Sequence, residues 1–83
     1  MRKQAYSILV YNNPGLLSRM AGLFSRRGYN IESITAGTTA DPRFTRITIV
    51  ASGDEQILSQ IEKQVRKMED VIEIKPLNDS NSV

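Results

Sequence analysis

Asn12-Asn13-Pro14-Gly15-Leu16-Leu17 marks the point where a run of strand-forming residues stops and helical spacing begins. An asparagine cap, a proline at the first helical position and a glycine just behind it predict a tight turn whose free backbone amides suit a small anion. Upstream, Ala5 to Tyr11 reads as a strand with Tyr6, Ile8 and Val10 on one face and Leu9 and Tyr11 on the other. Both faces are apolar, as expected of a central strand whose second face meets a partner or another copy. Downstream, Leu16, Leu17, Met20, Leu23 and Phe24 recur at helical spacing among Ser18, Arg19, Ser25 and Arg26. This predicts a helix over Pro14 to Arg27, closed by Gly28 in the left-handed conformation.

Further out, Tyr29 to Thr38 is a second strand, with Tyr29, Ile31, Ser33 and Thr35 on one side and Asn30, Glu32, Ile34 and Ala36 on the other. Ala40-Asp41-Pro42-Arg43 carries turn chemistry, and Phe44 to Ala51 returns as a third strand, making a hairpin with the second. Asp54 is placed to cap a second helix with the apolar stripe Ile57, Leu58, Ile61, Val65 and Met68. Val71 to Leu77 is the last strand, with Ile72 and Ile74 expected to point inward. Residues 1–77 then form one domain, and Asn78 to Val83 a polar tail expected to be disordered. A weak echo supports this order, Leu16, Leu17, Met20, Phe24 and Ile31 matching Ile57, Leu58, Ile61, Val65 and Ile72. Two interlocked βαβ halves give an α+β, ferredoxin-like βαββαβ fold, a four-stranded antiparallel sheet with two helices on one face. The other face has no cover within the chain, so pairing with a second copy into a side-by-side homodimer is expected.

Composition narrows the chemistry. At 83 residues, with 40% hydrophobic and 24% charged side chains, the chain is one small globular domain with a thin core. It has no cysteine and no histidine, which removes thiolate nucleophiles, disulfides, the usual transition-metal ligands and the commonest general base. Eleven Lys and Arg are spread among nine carboxylates for a net charge of +2, without a basic block for nucleic acid. The doublets Arg2-Lys3 and Arg26-Arg27 read as solvated surface. No signal-like or membrane-length apolar run is present, and a cytoplasmic location is expected.

Fold alone does not choose among the enzymes, RNA binders, metal carriers and sensors built on this scaffold. An RNA reader needs paired stacking aromatics, whereas the third strand, Arg43 to Val50, has one aromatic at its start and no glycine. A metal carrier needs cysteines at the first turn, and a small hydrolase an arginine in a glycine-rich loop; Arg19 lies a full turn into the helix. Asp41, Asp54, Glu55, Glu62, Glu69 and Asp70 fall in turns or on an outer helical face. There remains ligand binding at the first turn. An amino acid's carboxylate suits helix-end amides, and its ammonium suits acceptors such as Asn12 and the strand end. Gly15 would let the ligand approach the backbone. From pattern alone a plain helix cap is the commoner reading of Asn12, Asn13, Pro14 and Gly15, and Asn30 by itself reads as a turn residue. In a side-by-side dimer, however, the start of strand two of one chain can face the first turn of the other.

Asn12-x-Pro14-Gly15-x-Leu17-x-Arg19, and then Gly22 through Ile34, resemble the amino-terminal ACT domain of the small regulatory subunit of acetolactate synthase (acetohydroxyacid synthase). The similarity continues through Arg46-Ile47-Thr48-Ile49, Gly53-Asp54 and Gln60 to Gln64, covering about Tyr6 to Pro76. The resemblance implies a non-catalytic subunit without a cofactor of its own. Its catalytic partner in branched-chain amino-acid synthesis would use thiamine diphosphate, Mg and FAD. The subunit would activate that partner and bind valine or a relative between two ACT domains. Carried over, Asn12, Asn13, Pro14, Gly15 and Leu16 match the first turn, and Asn30 and Ile31 the start of strand two. Leu16 and Ile31 are then pocket walls for a branched side chain, or core residues. The alternatives are an ACT module of another amino-acid enzyme or regulator, and an RNA-binding domain.

Overall fold

The computed structural model describes residues 2–77; the tail expected over 78–83 lies outside the described residues. Six elements follow in the order β1 (Arg2–Tyr11), α1 (Leu16–Arg26), β2 (Asn30–Thr38), β3 (Phe44–Gly53), α2 (Glu55–Arg66) and β4 (Val71–Leu77). The sheet order is β2-β3-β1-β4, antiparallel throughout, which is the expected ferredoxin-like arrangement. Tyr6, Ile8 and Val10 of β1 and Ile47, Ile49 and Ala51 of β3 form the floor of the core. Leu16, Met20 and Phe24 of α1 and Leu58, Ile61 and Val65 of α2 close it from above. The shortest dimension is 18 Å, enough for one helix layer on one sheet, and among the described residues no element covers the second face.

Local chemistry explains the ends of the helices. Asp54 caps α2, its carboxylate accepting from the Ile57 amide at 2.8 Å. Gly28, at φ +69°, ends α1 in a Schellman motif. Tyr29 N–H donates to the Phe24 carbonyl at 3.1 Å and Gly28 N–H to that of Ser25 at 3.2 Å. The Phe24 and Tyr29 rings meet across the motif at 6.4 Å between centroids.

Two bulges correct the strand faces. Leu9 pairs with Glu73 and Val10 with Val71, so Ile72 is an extra residue and is 42% exposed, not inward. Val71 takes the inner place beside Ile74. In β2 the register slips between Ile31 and Ser33, which sets Ile31 opposite Ala51 and Ile34 opposite Ile49. Both therefore lie on the core side, instead of on opposite faces as simple alternation predicts. β1 and β3 also run longer than expected, because Arg2 to Gln4 pair with Gly53 to Ala51.

Candidate functional site

The chain leaves β1 at Tyr11, and Asn12 N–H donates to the Arg43 carbonyl at 2.8 Å, tying the turn to the β2–β3 loop. Asn13, not a residue at the helix start proper, does the capping. Its Oδ1 accepts from Gly15 N–H at 3.1 Å, and its carbonyl accepts from Leu16 N–H at 3.0 Å in a tight first turn. Regular α-helix begins at Leu16, so the expected start at Pro14 is corrected by one tight turn. This also corrects which amides are free. Those of Gly15 and Leu16 are occupied, whereas those of Leu17 and Ser18 have no partner among the described residues.

An ionic clamp holds the turn from the other side. Asp70, ahead of β4, accepts from Asn13 Nδ2 at 3.0 Å and from Arg19 Nη2 at 2.5 Å. The arginine offsets the carboxylate, so the turn faces solvent without a net negative neighbour. Asn12 directs Nδ2 to the Pro42 carbonyl at a long 3.4 Å and keeps its side-chain oxygen free among the described residues.

Beside the turn is a cavity of about 180 Å³ bordered by Tyr11, Asn12, Pro14, Leu16, Ala36 and Ile47. It is smaller than ordinary small-molecule sites, which start at ~300 Å³. Leu16 borders the cavity while being only 2% exposed in the core. Ala36 and Ile47 complete this wall without any local signal in the sequence. The β2–β3 register brings them together, and only the pairing pattern could have signalled it.

Asn30 and Ile31 lie elsewhere. Asn30 pairs with Ser52 at one end of the sheet, whereas Val10 pairs with Thr45 at the other. Seven residues of β3 separate these positions, about 23 Å at strand rise. Asn30 Nδ2 donates to Ser52 Oγ at 2.7 Å, and its side-chain oxygen is free among the described residues. Asn30 and Ile31 border a second depression, about 360 Å³, with Phe24, Tyr29 and Ile34. A single chain therefore does not bring all its predicted site residues together. It carries two partial pockets at opposite ends of the same edge strand, β2.

Acid–base chemistry is sparse. Lys3 and then Ser52 hydrogen-bond Glu32 and hold its carboxyl below the ordinary range, and Arg43 does the same to Asp41. Both are surface ion pairs. Among the described residues, no group of three or more carboxylates is placed to hold a metal ion, and no helix is long and apolar enough to cross a membrane.

Comparison with known proteins agrees with this fold. Residues 6–73 match the family described as the AHAS small subunit-like ACT domain. The acetolactate synthase isozyme 3 small subunit of Escherichia coli is 51% identical over 75 residues, which is 90% of this chain and 46% of that protein. The probable acetolactate synthase small subunit of Methanothermobacter thermautotrophicus is 49% identical over 77 residues, 93% of this chain and 46% of that protein. The crystal structure of the acetolactate synthase small subunit from Thermotoga maritima superimposes with a TM-score of 0.88 at 39% identity, covering 99% of this chain and 51% of that one. This chain thus spans about half the length of the curated relatives it matches. By sequence and by structure, the chain belongs to the AHAS small subunit-like ACT domain family.

Proposed function

We propose that the chain is the regulatory, non-catalytic partner of a thiamine-diphosphate-, Mg- and FAD-dependent acetolactate synthase. It raises the activity of the catalytic subunit and senses valine or a related branched-chain amino acid. The observation that carries the sensing part is the placement of the two partial pockets at opposite ends of β2. β2 is an edge strand with an unpaired row of backbone donors and acceptors. An antiparallel pairing of β2 with β2 of a second copy, centred near Ile34, sets Asn30 of each chain against Thr38 of the other. The strand-two depression of one copy then adjoins the first-turn cavity of its neighbour.

In the joined site the ligand's carboxylate meets the Leu17 and Ser18 amides at the positive end of α1. Its ammonium is offered the side-chain oxygens of Asn12 and, from the other chain, Asn30. The branched side chain packs on Leu16 and on Ile31 of the neighbour. Catalysis is not assigned to this chain: among the described residues every carboxylate but that of Glu69 is engaged in an ion pair or the α2 cap, and the sequence has no histidine or cysteine.

Adding the chain to the catalytic subunit tests the regulatory part. Acetolactate formation should rise, and unchanged activity together with no co-purification would overturn it. Calorimetry with valine, leucine and isoleucine tests the sensing part; Gly15→Asp should abolish binding by placing a carboxylate against the ligand's own. Silence for all three amino acids would refute sensing while leaving activation standing.

A further inference from the structure

A concavity larger than either of the two partial pockets lies elsewhere. It is a groove of about 670 Å³ between α1 and α2, on the side of the helices away from the sheet. Leu23, Gln64 and Met68 line it half-buried, and Arg19, Arg26 and Lys67 stand exposed around it. No carboxylate lines it. Arg19 is engaged by Asp70, but Arg26 and Lys67 make no ion pair among the described residues, and neither do Arg27 and Lys63 beyond the rim. Of the five lysines and arginines without a salt bridge among the described residues, four are therefore gathered at the ends of these two helices.

Gly22 gives an independent indication. It sits inside α1, where glycine is the poorest helix former after proline. A Cβ built there would meet nothing within 4 Å among the described residues, so none of them requires the missing side chain. A helix that keeps a glycine over an open apolar groove leaves room for something outside it to approach closely. The groove uses Arg19, Gly22, Leu23 and Arg26, whereas the depression beside β2 uses Ala21 and Phe24 on the other side of α1. A dimer formed through β2 leaves the groove open.

We propose that the α1–α2 groove docks an acidic segment with apolar anchors, supplied by the catalytic subunit. The proposal rests on the regulatory reading given above. Charge decides against a second copy as occupant, because a two-fold contact would set Arg19, Arg26 and Lys67 against themselves. The opposite charge on a heterologous segment removes that penalty, while Leu23 and Met68 take its apolar side chains.

The test measures affinity of the chain for the full-length catalytic subunit by calorimetry, beside thermal melting of each variant. Arg26→Glu combined with Lys67→Glu should weaken binding at least tenfold, and added salt should weaken wild-type binding. Gly22→Leu should also weaken binding at least tenfold while its Tm stays equal or rises, an outcome that a purely structural glycine would not give. Arg46→Glu on the bare sheet face should stay within twofold of wild type. If wild type binds and the groove variants bind equally well, or if only Arg46→Glu loses affinity, the groove proposal is overturned and the regulatory reading stands. If the groove variants instead lose self-association, the occupant is a second copy and the proposal is wrong. If wild type does not bind at all, the regulatory reading itself falls.

Discussion

Gly15→Ala separates a turn residue from a ligand-site residue. Gly15 has φ −87° and ψ −6°, a right-handed conformation open to any L residue. Its nearest neighbour to an added Cβ is Asn13 Oδ1 at 3.8 Å, an ordinary contact. Neither backbone nor packing therefore requires glycine. Replacing it by alanine removes freedom from the unfolded chain and should stabilise the fold by about 0.4–1 kcal/mol. For a domain of this size that corresponds to a rise in Tm of roughly 2–8 °C. The methyl group projects where a carboxylate would approach the start of α1, and crowding of about 1–3 kcal/mol corresponds to a loss of roughly 5–150-fold in valine affinity. Differential scanning calorimetry and titration calorimetry on the same samples read both numbers. A fall in Tm would show that the turn needs glycine for itself. A rise in Tm with unchanged valine affinity would show that the ligand does not pass over Gly15.

The other glycines and the bulges give contrasting expectations. Gly28→Ala must hold an alanine at φ +69°, with open space around its Cβ, so chemical denaturation should show a loss of about 1–2 kcal/mol from backbone strain alone. Ile72→Thr should change stability by less than ~0.5 kcal/mol because the bulge turns Ile72 outward, whereas Ile74→Ala in the core should cost about 2–5 kcal/mol. Equal effects at the two positions would contradict the register. The lowered Glu32 carboxyl, paired with Lys3, makes a sign-definite pH prediction. A depressed folded value means that its contribution is fully present above the ordinary value of 4.5 and is lost as pH falls through the lower folded value. Urea midpoints should drop across that interval, and Glu32→Gln should make the drop shallower; an unchanged slope would remove Glu32 from the account.

The 3.6-residue spacing of Met20, Phe24, Ile61 and Val65 was enough to place both helices, because a small core leaves no other use for such stripes. Asp54 and Gly28 were legible as helix ends because each supplies a backbone need that few residues meet. The internal echo held at Met20 with Ile61 and Phe24 with Val65, all buried. It failed where Leu17 at 38% exposure was matched with the buried Leu58, and where Ile31 was matched with the exposed Ile72. Bulges caused the strand errors: one extra residue flips every face beyond it, and nothing in an Ile-Glu-Ser or Val-Ile-Glu run announces it. At the site, Asn12, Asn13 and Gly15 could be named in advance because a turn is local. The Asp70 clamp with Arg19 and the cavity wall at Ala36 depend on pairings across the fold, which local pattern does not carry.

If the proposed effector site is completed by two chains, two variants that are each defective alone should complement one another. Homodimers of Gly15→Asp lack the turn half, and homodimers of Asn30→Ala lack the strand half, so each alone should bind valine weakly or not at all. After the two variants are mixed and allowed to exchange, half the dimers are mixed and each of those carries one undamaged site, which restores about one quarter of the wild-type number of sites. Titration calorimetry should find that fraction at wild-type affinity. Binding by either variant alone at wild-type affinity, or a mixture as silent as its components after exchange is verified, would contradict a shared site.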